Sequence, residues 1–155
     1  AICGTKSIQL ISGKKFMMEM RVRTSDVTDN VVQFGLSALT AVTNPEDLWT
    51  TTAADVLAVG ILDGSALVGI LADEGNVGTA AIAGTRSMVA DTWHILGLLY
   101  DGIAASVYVD GKLSVTTSVT VPEAVALAPF FGVLNGNGAG AATNYIDYIR
   151  WSSER

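Results

Sequence analysis

The 155-residue chain has one cysteine, one histidine and three prolines, and only 15% of its residues are charged. A lone cysteine, Cys3, excludes an internal disulfide, so the fold does not depend on oxidation. A lone histidine, His94, excludes any centre built on two imidazoles. Nine Lys and Arg against 15 Asp and Glu leave a net charge of -6. That deficit of basic residues argues against a nucleic-acid partner. Long apolar runs are missing too. Gly, Asp, Ser or Thr interrupts each hydrophobic stretch within about ten residues, short of the ~20 a membrane helix requires, so no membrane partner is expected. No G-x-x-x-x-G-K-[ST] phosphate loop occurs, nor any heptad pattern or basic arm.

What the chain does have is apolarity, with 50% hydrophobic residues and a mean hydropathy of +0.43. Few charges over so apolar a composition leave a weakly charged surface, which points to association with other chains. The 16 glycines are scattered, and no linker divides the sequence. One domain is expected over 1–155, with 1–12 as an N-terminal arm.

Turn dipeptides punctuate the chain at Asp63-Gly64, Asp101-Gly102, Asp110-Gly111, Asn135-Gly136 and Asn137-Gly138. Such pairs tolerate positive φ at both central residues of a tight hairpin. Between them the hydrophobic period is two. Phe16, Met18, Met20 and Val22 alternate with Glu19, Arg21 and Arg23, and Val32, Phe34, Leu36 and Ala38 form a second row. Ile103, Ala105, Val107 and Val109 form a third, and Leu113, Val115, Val119 and Val121 a fourth that faces a row of hydroxyls. Trp93–Tyr100 and the Val56–Leu71 hairpin are apolar on both faces, which predicts strands covered twice. Helix signals are confined to single turns at Pro45–Trp49 and Pro122–Ala128. Many short strands, regular turns and almost no helix predict an all-β antiparallel β-sandwich.

Two phrases carry a family resemblance. Trp93-His94-Ile95-Leu96-Gly97-Leu98-Leu99-Tyr100-Asp101-Gly102 leads to Ala105-Ser106-Val107-Tyr108-Val109-Asp110-Gly111-Lys112, and Tyr145–Trp151 follows near the end. This resembles the closing strands of the concanavalin A-like jelly roll of lectins, laminin-G-like modules and glucanases. Lys15–Arg23 before Phe34-Gly35-Leu36 is similar to jelly-roll domains of tailed-bacteriophage virion proteins, of the capsid-decoration or head-fibre type. The resemblance implies a structural protein on the capsid exterior, assembled in the host cytoplasm. Its partners would be the major capsid protein and further copies of itself, as a homotrimer.

The residues offer little chemistry. Glucanases of this fold are similar in a Glu-x-Asp-x-Glu run, whose alternate side chains share one strand face. No such run occurs here, and Glu46-Asp47 and Asp73-Glu74 are adjacent pairs that point opposite ways on a strand. His94 reads as a hydrogen-bonded core or interface residue, and Trp93 and Trp151 as core or sheet-face packing. No cofactor is expected. Calcium stays open at three loops, with Asp26, Asp29 and Asn30 in one, Asp73 and Glu74 in another and Asn135 and Asn137 in a third; the first is the densest and also reads as an Asx turn.

A non-enzymatic virion protein is therefore expected, contacting its neighbours through the arm residues Ile8, Leu10 and Ile11. The alternative is a carbohydrate- or receptor-binding module of a fibre, with a glycan held by Trp49, Asn135 and Asn137. Aromatic platforms beside loop amides are what sugars require.

Overall fold

The computed structural model describes residues 2–3, 7–38, 55–62, 64–75, 80–118, 121–135 and 141–154. Among these, the chain forms strands and no helix. The strands are β1 (Ile2–Cys3), β2 (Phe16–Thr24), β3 (Asn30–Ser37), β4 (Val56–Leu62), β5 (Ser65–Asp73) and β6 (Ala80–Ile82). They continue as β7 (His94–Tyr100), β8 (Ala105–Val109), β9 (Lys112–Thr117), β10 (Ala128–Asn135) and β11 (Asn144–Ser153). Two antiparallel sheets result, one of six strands ordered β1-β10-β3-β4-β5-β6 and one of five ordered β11-β2-β7-β8-β9. No helix among the described residues is long and apolar enough to cross a membrane.

The alternating rows build the core. Met18, Met20 and Val22 of β2, with Leu96, Leu98 and Tyr100 of β7, face Phe34 and Leu36 of β3 and Leu57 and Val59 of β4. All are at most 2% exposed. The arm joins this core: Leu10 is 1% exposed and belongs to the cluster. Ile8 pairs with Leu127 through the backbone and packs against the core, while Ile11 stays half exposed. Leu10 is thus packed within the chain's own core. Residues 122–128 form no helical turn; Glu123 and Leu127 instead bridge to Leu10 and Ile8. Pro45–Trp49 lies outside the described residues.

Simple alternation fails at two register shifts. In the β8–β9 hairpin, Asp110 (φ 51°) and Gly111 (φ 75°) supply the two positive φ angles of the turn. A register shift between Val107 and Tyr108 then breaks the expected row. Leu113 is half exposed, and Ser114 is buried, donating its hydroxyl to the Val68 carbonyl of the other sheet at 2.9 Å. In β11 a second shift falls between Ile146 and Tyr148 and turns Asp147 toward Arg21. Coverage is also uneven. The second face of the six-stranded sheet is buried, with Val31, Gln33, Ala58, Leu71 and Asp73 at most 1% exposed. The second face of β7 is open, with Ile95 37% exposed. Double coverage therefore holds for the Val56–Leu71 hairpin and not for Trp93–Tyr100. Asp73 is buried, and neither of its carboxylate oxygens has a hydrogen-bond partner among the described residues.

His94 is a core residue tied at both nitrogens. The Val89 N–H donates to Nε2 at 2.9 Å, so the ring proton sits on Nδ1 and is shared with Asp110 Oδ2 at 2.7 Å. Asp110 Oδ1 also accepts the Ile95 N–H at 2.8 Å. One carboxylate thus fastens the hairpin turn to the start of β7. Asp110→Ala is expected to lower the unfolding free energy by about 1.5 kcal/mol, since it strands the buried His94 N–H. Asp110→Asn, which keeps an acceptor and tolerates the left-handed backbone, should lose less in urea unfolding.

Candidate functional site

The open face of the five-stranded sheet gathers the aromatic and charged side chains that the core leaves out. Alternation along β2 sends Met17, Glu19, Arg21 and Arg23 outward. Antiparallel pairing sets Tyr145 opposite Arg23, Tyr148 opposite Arg21 and Arg150 opposite Glu19. On the other flank, β7 places Ile95, Gly97 and Leu99 beside Arg21, Glu19 and Met17. Trp93 enters just ahead of β7, and Tyr108 of β8 lies opposite Gly97.

These groups form a cross-strand ladder. The Arg23 guanidinium lies 4.4 Å from the Tyr145 ring centre and 5.8 Å from that of Trp93. Arg21 sits 4.8 Å from the Trp93 ring and pairs with Asp147 at 2.6 Å. Arg150 pairs with Glu19 at 2.9 Å and lies 5.3 Å from the Tyr148 ring. The Tyr148 hydroxyl donates to Glu19 Oε1 at 2.5 Å. That hydrogen bond to an anion holds the phenol pKa above its usual value, so the hydroxyl remains a donor. Arg150 uses the same oxygen, which leaves Glu19 Oε2 without a partner among the described residues.

Beside the ladder lies a cleft of about 200 Å³, walled by Met17, Ile95, Leu99 and Tyr108, with Glu19 at its rim and Gly97 as its floor. The cleft exists because position 97 has no side chain between Glu19 and Tyr108. A methyl group there would meet only the Tyr108 Cβ at 3.6 Å, an ordinary contact. An apolar hollow with an aromatic wall and a few polar groups is the usual form of a small-ligand site.

The residues expected from sequence fall elsewhere. Trp49 and Asn137 lie outside the described residues. Asn135 ends β10, exposed and paired with Asn30 of β3 within the six-stranded sheet, away from this face. Ile8, Leu10 and Ile11 are not among the residues lining the cleft. Asp26 accepts the N–H groups of Thr28 and Asp29 at 2.7 and 3.0 Å, the geometry of an Asx turn, and those bonds lower its pKa. No group of three His, Cys, Asp or Glu residues suited to a metal occurs among the described residues. Trp93 and Trp151, expected as packing residues, are 37% and 51% exposed. The signal for this face was present in the alternation of β2, which marked Glu19, Arg21 and Arg23 as outward.

Solved structures share this arrangement of sheets. The chain superposes on a native glycosidic hydrolase with a TM-score of 0.63 at 14% identity, over 88% of this chain and 64% of that one. An alginate lyase of polysaccharide lyase family 7 gives 0.56 at 14%, over 93% and 61%. A carbohydrate-binding module from Bacillus subtilis gives 0.56 at 11%, over 90% and 75%. The fold is the concanavalin A-like jelly roll. The chain spans less than two thirds of the length of the first two structures. No protein-family profile and no curated protein sequence matches it.

These likenesses correct one expectation. A glycosidic hydrolase, a lichenase and alginate lyases all carry this jelly roll, so the missing Glu-x-Asp-x-Glu run no longer supports reading the chain as non-enzymatic. The jelly-roll part of the family resemblance stands; these solved structures do not connect it to a virion.

Proposed function

We propose that the chain is a carbohydrate-recognising jelly-roll domain that seats a sugar ring in the Gly97 cleft on the open face of the five-stranded sheet. The observation that carries this reading is the cleft itself. Its aromatic wall, Tyr108, lies beside an apolar hollow, and Glu19 Oε2, with no partner among the described residues, is available to a sugar hydroxyl. Pyranose rings have apolar faces and hydroxyl edges, and a wall of this kind with an acceptor at the rim matches both. The shared fold of a carbohydrate-binding module and of polysaccharide-cleaving enzymes adds support. Of the two roles raised by the sequence, glycan binding has this support and capsid decoration has none.

The test is calorimetric titration with a panel of neutral and acidic hexasaccharides, with product analysis of each mixture for chain cleavage. Saturable binding to at least one member is expected. Tyr108→Ala should weaken that binding about tenfold, near 1.4 kcal/mol, through loss of the stacking wall. Absence of binding and of cleavage across the panel would refute the reading.

A further inference from the structure

We propose that the Trp93–Arg23–Tyr145 clamp recognises a sugar carboxylate, so that the glycan taken by this face is an acidic one. The inference rests on the reading of this face as glycan-binding and adds the charge class of the ligand.

Three arginines stand on the face, and they are not equivalent. Arg21 has Asp147 at 2.6 Å and Arg150 has Glu19 at 2.9 Å. No carboxylate among the described residues pairs with Arg23, and its Nε is a buried donor without an acceptor. The chain has 15 acidic residues against nine basic ones, so acid is not scarce. The two carboxylates of the ladder are already engaged by the other two arginines. The Arg23 guanidinium lies over the Tyr145 ring at 4.4 Å and over the Trp93 ring at 5.8 Å. With Nε buried, the guanidinium offers a carboxylate its two terminal Nη groups, which fit it through two parallel hydrogen bonds. Both framing rings are partly open, Trp93 at 37% and Tyr145 at 46%, so a ligand can reach the clamp. Among the described residues of the ladder, Arg21, Arg23 and Arg150 stand beside two carboxylates, Glu19 and Asp147.

The experiment pairs each uronic-acid hexasaccharide of a panel with its carboxyl-reduced, neutral counterpart. It measures affinity at two salt concentrations for the wild type, Arg23→Gln and Arg23→Lys. Preference for an acidic member over its reduced partner is expected, weakening as salt rises. Both variants should lose about tenfold toward the acidic sugar and stay within about twofold for the neutral one, because lysine keeps the charge and lacks the fork. Should either variant unfold, the Arg23 Nε–H and Trp93 indole resonances of the wild type replace it as readout. They must shift on addition of the acidic sugar and not of its reduced form. Equal binding of both members of every pair, or of neutral sugars alone, overturns the clamp and leaves the glycan reading standing. Binding of no member overturns both.

Discussion

Gly84→Ala is expected to destabilise the protein by about 3 kcal/mol, the sum of overpacking a closed site and stranding a buried hydroxyl. A Cβ built at Gly84 would stand 1.9 Å from the Val68 carbonyl oxygen and 2.1 Å from Ser114 Oγ. Neither atom is the loose end of a flexible side chain. The carbonyl belongs to β5 of the six-stranded sheet, and Ser114 to β9 of the five-stranded one. Between them runs a bond from Ser114 Oγ to the Val68 carbonyl at 2.9 Å. The Arg86 N–H donates to the same hydroxyl at 3.2 Å, and Thr85 Oγ1 donates to the Ser114 carbonyl at 3.0 Å. Residues 84–86 therefore stitch one sheet to the other at a seam with no room for a methyl group. Urea unfolding would show the loss as a lower midpoint at unchanged slope. In a thermal scan it corresponds to a fall of roughly 6–12 °C for a domain of this size. A change under about 0.5 kcal/mol would mean that the seam opens freely.

Gly97→Val should have the opposite profile, with the fold intact and glycan affinity reduced at least about 30-fold, near 2 kcal/mol. Gly97 lies within β7, where a β-branched residue is favoured by intrinsic preference. An added Cβ meets only Tyr108 Cβ at 3.6 Å, so the backbone need not move. The branched side chain instead fills the hollow between Glu19 and Tyr108. Calorimetric titration against the best-binding hexasaccharide gives the affinity, and thermal unfolding gives the control. Full affinity in a folded variant would show that the cleft is not where the sugar sits.

The sandwich was largely legible because its signals are local. The period-two row from Phe16 to Val22 became the inner face of β2, and the Asp110-Gly111 pair became the hairpin turn. The shifts of register were not legible. Nothing local in Leu113–Thr117 announces that Ser114 faces inward; that follows from a bond to Val68, 46 residues away in sequence. Tyr148 reaches Glu19 across 129 residues and Arg21 reaches Asp147 across 126, so the ladder depends on a pairing that alternation cannot specify. The exposure of Trp93 and Trp151 departs from the sequence expectation for a related reason. An aromatic on a strand packs inward by default, yet Trp93 stands just before β7 and takes its place over Arg21 and Arg23.

The displaced register in β11 bears on more than Arg21. The six-stranded sheet ends in very short margins, two residues in β1 and three in β6. The five-stranded sheet ends in β11, ten residues long and partly apolar, with Trp151 half exposed. A strand of that length at a sheet edge, with no further strand paired to it among the described residues, is a template for fibrillar stacking. The irregularity at Asp147 interrupts the repeat on which such stacking depends and places an anion at the break. Asp147 thus marks the one break in the edge pairing of β11 and, through Arg21, also supports the aromatic ladder.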